Sequence, residues 1–323
     1  MIKEIFEKVD QGTPLTRDDA LELLHIPNLS GDYYALLQKA MEVSRRDFGD
    51  KGYIFVQIGL NVAPCSGNCT FCSLAQCNTT FTEKSEKTYD EVLEEVSRID
   101  FQRVTAVFLM TTADYDTEKF LEMGRRVRAI LPAEIALVAN TGDFDLAYAN
   151  RMKEAGFTGA YHIVRLREGV DTALDPVVRI QTLDAIRDAG LRLYYCLEPV
   201  GPEHTYDEMI TEMMRARDYH VDVMAAMRRV SVDRTKYESQ SMVSDFEMAK
   251  IVSVTRLVAM PRVSMNVHEP NMTCLLGGVN QLYAELGANP RDSSAQTETS
   301  RGLSIDQVTN ILAAAGFKAC VER

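Results

Sequence analysis

No block of lysine and arginine occurs anywhere in the 323 residues, and the formal net charge is -12. A surface of that sign argues against nucleic-acid binding by phosphate neutralisation. No apolar run approaches the ~18 residues that would cross a bilayer. The opening residues, MIKEIFEKVDQG, are acidic and lack the apolar stretch of a secretion signal. A cytoplasmic protein away from membranes is the expectation. No linker, low-complexity tract or internal repeat divides the chain, so residues 1–50 read as an N-terminal helical extension and 51–323 as one larger domain. Nor is there an even, dispersed set of cysteines to make a disulfide framework. The seven are odd in number and four crowd into one stretch, which suits a reducing compartment and metal binding.

What is present is a regular alternation. Residues 1–50 carry helix signals, with Thr16 as an N-cap ahead of Asp18 and Asp19. Beyond Gly52, eight strand-like segments alternate with amphipathic stretches: 53–60, 104–110, 134–139, 159–164, 191–197, 221–226, 262–267 and 279–286. Strands separated by helices predict a parallel sheet, and eight such units are the count of a closed (β/α)8 TIM-type barrel. An open doubly wound sheet is the competing arrangement. In a barrel, chemistry sits on the loops that follow the strands. The cysteine-rich stretch follows the first strand.

That stretch is Asn61 to Phe81, NVAPCSGNCTFCSLAQCNTTF, with C-x3-C-x2-C at Cys65, Cys69 and Cys72. Thiolates so spaced hold soft metal centres. Together with Cys77 they could make a four-thiol zinc site, although such sites usually pair two C-x2-C arms from separate turns. Alternatively three of them hold a [4Fe–4S] cluster and leave one iron open to a small molecule.

With Phe71 just before the last cysteine, and the motif placed after the first strand of a barrel, this stretch resembles the radical S-adenosylmethionine superfamily. The resemblance implies a [4Fe–4S] cluster on Cys65, Cys69 and Cys72, with S-adenosylmethionine held at the open iron. It also implies a reductant such as flavodoxin or ferredoxin and a 5′-deoxyadenosyl radical that takes hydrogen from a small-molecule substrate. The run Thr182 to Gly190, TLDAIRDAG, is similar to the helix before strand five in the biotin-synthase group, which includes hydrogenase maturase and methylornithine synthase enzymes.

That register implies Arg179 as partner of the S-adenosylmethionine carboxylate, which a guanidinium fork suits; its plainer role is an exposed helix arginine. Val200 to Glu203 falls where the group packs a turn on the adenine, with Pro199 and Pro202 in place of small residues. Arg165 and Glu168 follow strand four, where the group keeps ribose and methionine contacts; otherwise they are a surface ion pair.

The group's [2Fe–2S] centre uses cysteines on strands two, three and five. Here the second and third strands, VTAVFLM and EIALVA, carry none. Cys196 on strand five, with Cys77 and Cys274 near loops at the same mouth, could hold an auxiliary iron–sulfur cluster of another type and supply sulfur for insertion. Their plainer role is as inert thiols. Without that cluster, the implied reaction is carbon-skeleton rearrangement or cofactor maturation. His268 and Glu269, at the end of strand seven, are candidate substrate contacts. The loop from Arg228 to Ser244 is expected to close over a pocket.

Overall fold

The computed structural model describes residues 2–79, 85–268, 271–285 and 303–319. Three helices open the chain: α1 (Ile2–Asp10), α2 (Arg17–Leu24) and α3 (Gly31–Phe48). Thr16 caps α2 as its sequence requires. Its hydroxyl accepts the Asp19 N–H, and the Asp19 carboxylate accepts the Thr16 N–H at 2.9 Å.

Eight barrel strands follow: β1 (Lys51–Gly59), β2 (Ala106–Met110), β3 (Ala136–Asn140), β4 (Gly159–Tyr161), β5 (Arg192–Val200), β6 (Val223–Arg228), β7 (Ser264–Val267) and β8 (Gln281–Glu285). Each pairs in parallel with the next. β8 then pairs with β1, Tyr53 lying opposite Gln281, so the sheet closes on itself. The open sheet is thereby ruled out, and the fold is the (β/α)8 barrel. Around it run α4 (Tyr89–Ser97), α5 (Thr117–Ile130), α6 (Leu146–Glu154), α7 (Pro176–Ala189), α8 (Tyr206–Asp218), α9 (Asp245–Ala259), α10 (Met272–Leu276) and α11 (Ile305–Ala314). Gly190, at φ 68°, ends α7 in the left-handed conformation that favours glycine. No described helix is long and apolar enough to cross a membrane.

The strand bounds shift by a residue or two throughout, and two strands shift by three at their C-terminal ends, where they shape the mouth. β4 stops at Tyr161, after which the chain turns through Arg165 to Thr172. β5 runs on to Val200, with a register shift between Leu197 and Val200. Pro199 sits in that irregularity, where a residue without an N–H costs no ladder bond.

Inside the barrel, alternate residues of each strand point to the axis. The rings of Phe55, Phe108, Tyr194 and Tyr283 meet there with centroids 5.2 to 5.9 Å apart, and edge-on contacts dominate. They fill the middle of the barrel. The next inward positions toward the C-terminal face, among them Gln57, Met110 and Cys196, line an open cavity instead. The plug is its floor.

Candidate active site

The cysteine loop is held shut by its own backbone. The Cys65 N–H donates to the Leu74 carbonyl at 2.8 Å, and Gln76 N–H returns to the Cys65 carbonyl at 3.3 Å. Asn68, in the left-handed region at φ 47°, accepts the Cys77 N–H on its side chain at 2.8 Å. Asn78 donates to the Cys72 carbonyl at 2.9 Å. These bonds turn Cys65, Cys69 and Cys72 toward the cavity, which measures about 260 Å³. Phe71 lines it as well. The Cys65 sulfur accepts the Ala113 N–H at 3.4 Å. Gly142 lets the loop after β3 approach this wall: a Cβ there would stand 2.4 Å from the Ala113 carbonyl oxygen.

Across the cavity stands Arg165. Its Nε lies 3.4 Å from Glu198 and its Nη1 3.6 Å from Glu168. Burial works against its charge, but Cys69, Glu168 and Glu198 outweigh that and hold its pKa above the ordinary range. Burial also pushes the Cys69 thiol up to about 12, with Arg165 opposing. A buried thiol of this kind becomes a thiolate by binding a metal, since coordination supplies positive charge. The buried Nη1 of Arg165 and Oε1 of Gln57 make no hydrogen bond. Three soft donors facing unspent polar groups fit an iron–sulfur cluster with a polar, charged ligand beside it. Ligands of a cubane sit on separate irons and need not meet at a point, and among the described residues no trio of His, Cys, Asp or Glu does so.

Arg179 reaches the same cavity but spends most of its donors on the protein. It donates to the Ile163 carbonyl at 2.9 Å and to Asp143 at 3.0 Å, and it is 4% exposed. An exposed surface arginine is therefore corrected to a buried one. Asp143 also faces His162, 3.3 Å away. Burial, then Arg179, depress the His162 pKa to about 3, so the ring is neutral.

Glu168 is a brace. It accepts the Arg165 N–H at 2.9 Å and the Thr172 hydroxyl at 2.6 Å, and lies 3.7 Å from Arg179. A surface ion pair is corrected here too, since Glu168 is buried.

The loop after β6 covers the mouth from the other side. Lys236 N–H donates to the Thr70 carbonyl at 3.0 Å, and Thr70 N–H donates to the Asp171 carbonyl at 2.9 Å. The Asp171 carboxylate accepts from Lys236 at 2.6 Å and Tyr237 at 2.8 Å. Arg229 at the loop's base is clamped by Glu203 at 2.6 and 3.1 Å. The expected closing segment is thus docked on the cysteine loop.

Several expected site residues lie elsewhere. Cys77 is exposed and faces outward, so the four-thiol zinc arrangement is not assembled. Cys274 is buried in α10 against α9, with Arg228 and Asp245 as its charged neighbours. Of the three cysteines considered for an auxiliary cluster, only Cys196 lines the cavity. Val200 is buried at the end of β5, its carbonyl taken by the Arg229 N–H at 2.8 Å, and is not on the cavity wall. His268 lines the cavity with its ring 5.2 Å from that of Tyr283. Glu269 lies outside the described residues.

No protein-family model matches the chain. Biotin synthase of Carboxydothermus hydrogenoformans is 24% identical over 268 residues, spanning 80% of this chain and 81% of the relative. Biotin synthase of Halorhodospira halophila is 26% identical over 275 residues, spanning 77% and 81%. In sequence the chain is biotin-synthase-like, which supports a radical S-adenosylmethionine enzyme. Among solved structures, methylornithine synthase superposes with a TM-score of 0.83, over 98% of this chain and 97% of the other, at 19% identity. The FeFe-hydrogenase maturase HydG of Carboxydothermus hydrogenoformans gives 0.80 over 98% and 78%, at 17% identity. At those identities the superpositions show a shared barrel.

The cavity residues that motif reading passed over are Gln57, Tyr161 and Glu198. Gln57 left a signal: it interrupts the apolar strand YIFVQIGL on the face shared with Tyr53 and Phe55. Glu198 left none, because the β5 irregularity sets where it points.

Proposed function

We propose that Cys65, Cys69 and Cys72 hold a [4Fe–4S] cluster and that the enzyme activates a C–H bond of a small molecule in the cavity behind them. When bound, the cluster and S-adenosylmethionine supply a 5′-deoxyadenosyl radical, with the electron drawn from a donor such as flavodoxin or ferredoxin. The observation that carries this is the convergence of three thiols of one loop and the buried Arg165 on a single cavity at the C-terminal face.

The protein's own part is binding, orientation and exclusion of water. Arg165, held charged by Glu168 and Glu198, faces the thiols and offers a buried donor to an anionic group such as the methionyl carboxylate. Arg179 holds the turn after β4 through Ile163 and leaves few donors for a ligand. The docked loop after β6 keeps solvent from a reactive radical. The aromatic plug closes the other end.

Radical chemistry without a second cluster is the variant the cysteine positions support, since neither Cys77 nor Cys274 lines the cavity that Cys196 borders. Anaerobic reconstitution tests the reading. Wild type should bind about four irons per chain and show a reduced-cluster electron paramagnetic resonance signal that S-adenosylmethionine alters. Zinc without iron, or a signal indifferent to S-adenosylmethionine, would overturn it.

A further inference from the structure

Cys196 occupies an unusual place for an inert thiol. It is 1% exposed, lies on β5 just beyond the aromatic plug, and forms part of the cavity that the three loop thiols border. Beside it, Tyr161 donates its hydroxyl to Glu198 at 2.8 Å, and Glu198 lies 3.4 Å from Arg165. Both Glu198 and Tyr161 act electrostatically on the thiol. Opposite, Gln57 is 8% exposed and turns an unpartnered Oε1 into the same cavity, an independent sign that a polar ligand completes this space.

We propose that Cys196 is a catalytic hydrogen-atom donor that quenches a carbon-centred radical in the cavity. The proposal rests on the radical reading above and names how such a reaction would end. The S–H bond is weaker than an alkyl C–H bond, so transfer to a carbon radical runs downhill. The S–H bond breaks, a C–H bond forms, and Cys196 is left as a thiyl radical. One electron from the same external low-potential donor, with one proton, restores the thiol. Glu198 and Tyr161 supply the route for that proton from the cavity wall.

Two features suit the role. The thiol must be present as S–H, and burial first, then Glu198, keep its pKa well above the ordinary value. It must also be kept from other thiols. Cys77 is exposed and Cys274 is buried within α10 against α9, and neither lines this cavity.

The test uses the anaerobically reconstituted full-length protein with S-adenosylmethionine alone, limiting dithionite, and D2O, so no substrate identity is needed. In wild type, 5′-deoxyadenosine should carry one deuterium taken from the exchanged Cys196 S–D. A small nitroso spin trap should leave its adduct on the Cys196 peptide, located by mass spectrometry. Cys196→Ser keeps an exchangeable proton but has too strong an O–H bond to give a hydrogen atom, so the label should be lost. Tyr161→Phe should retain it. Should Cys196→Ser fail to fold, the wild-type trap adduct decides alone. Unlabelled 5′-deoxyadenosine, a label unchanged in Cys196→Ser, or loss of label and trap adduct only with Tyr161→Phe would each overturn the proposal while leaving the radical reading intact. No 5′-deoxyadenosine at all would overturn both.

Discussion

The Glu168 carboxylate accepts the backbone N–H of Arg165 at 2.9 Å and stands 3.6 Å from the guanidinium of that same residue. One carboxylate thus fixes both the turn after β4 and the direction of the cation that faces the cysteine loop. Glu168→Gln keeps the shape and removes the charge. Its cost is expected to be about 1–3 kcal/mol of stability, as for a buried charge-assisted hydrogen bond, together with weaker S-adenosylmethionine binding. Equilibrium dialysis with labelled S-adenosylmethionine checks this on reconstituted protein. Affinity equal to wild type would mean that Arg165 does not need its brace.

The Asp171 carboxylate ties two loops together, holding Lys236 and Tyr237 of the loop after β6 and Arg167 of its own turn, 3.2 Å away. Asp171→Asn is expected to loosen the covering loop. Limited trypsin digestion should then cut after Arg234 or Lys236 several-fold faster than in wild type, because cleavage follows the population of the open form. Unchanged cleavage would place the closure in the Arg229–Glu203 clamp instead.

His162 gives the fold a pH dependence whose sign is fixed. Its folded pKa is depressed to about 3, by burial and then by Arg179, from an ordinary 6.5. The unfolded chain therefore takes up the proton first. Stability is fully present above pH 6.5 and declines below it, by up to about 1.4 kcal/mol per pH unit. Asp143, depressed to about 2 by His162 and Arg179 against the pull of burial, adds to the loss only below its ordinary 3.8. Urea midpoints at pH 7.5 and 5.5 should differ in wild type and differ much less in His162→Gln. Equal slopes would remove His162 from this role.

Cys77→Ser and Cys274→Ser should each keep the wild-type iron content and cluster signal, since neither thiol lines the cavity. Metal analysis after anaerobic reconstitution decides. A fall in iron in either variant would restore a second centre.

Much of the barrel was legible because its signals are local. Each strand is an apolar run bounded by turn residues, and strands buried on both faces carry that pattern strongly. The site was legible only where a motif spelled it. Cys65, Cys69 and Cys72 are close in sequence, and their loop folds on itself. Glu198, Gln57 and Arg165 meet from β5, β1 and the turn after β4, and no local pattern encodes that meeting. Val200 missed the cavity because the β5 irregularity shifts the register ahead of it. Arg179 reached the cavity's edge as expected, but Ile163 and Asp143 had already claimed its donors.

Reductive cleavage of S-adenosylmethionine tests the central claim most directly. Reconstituted, dithionite-reduced wild type should convert S-adenosylmethionine to 5′-deoxyadenosine and methionine, measured by chromatography and mass spectrometry, and Cys69→Ala should form neither. Iron-loaded wild type that forms no 5′-deoxyadenosine, or a Cys69→Ala variant that forms as much as wild type, would contradict it.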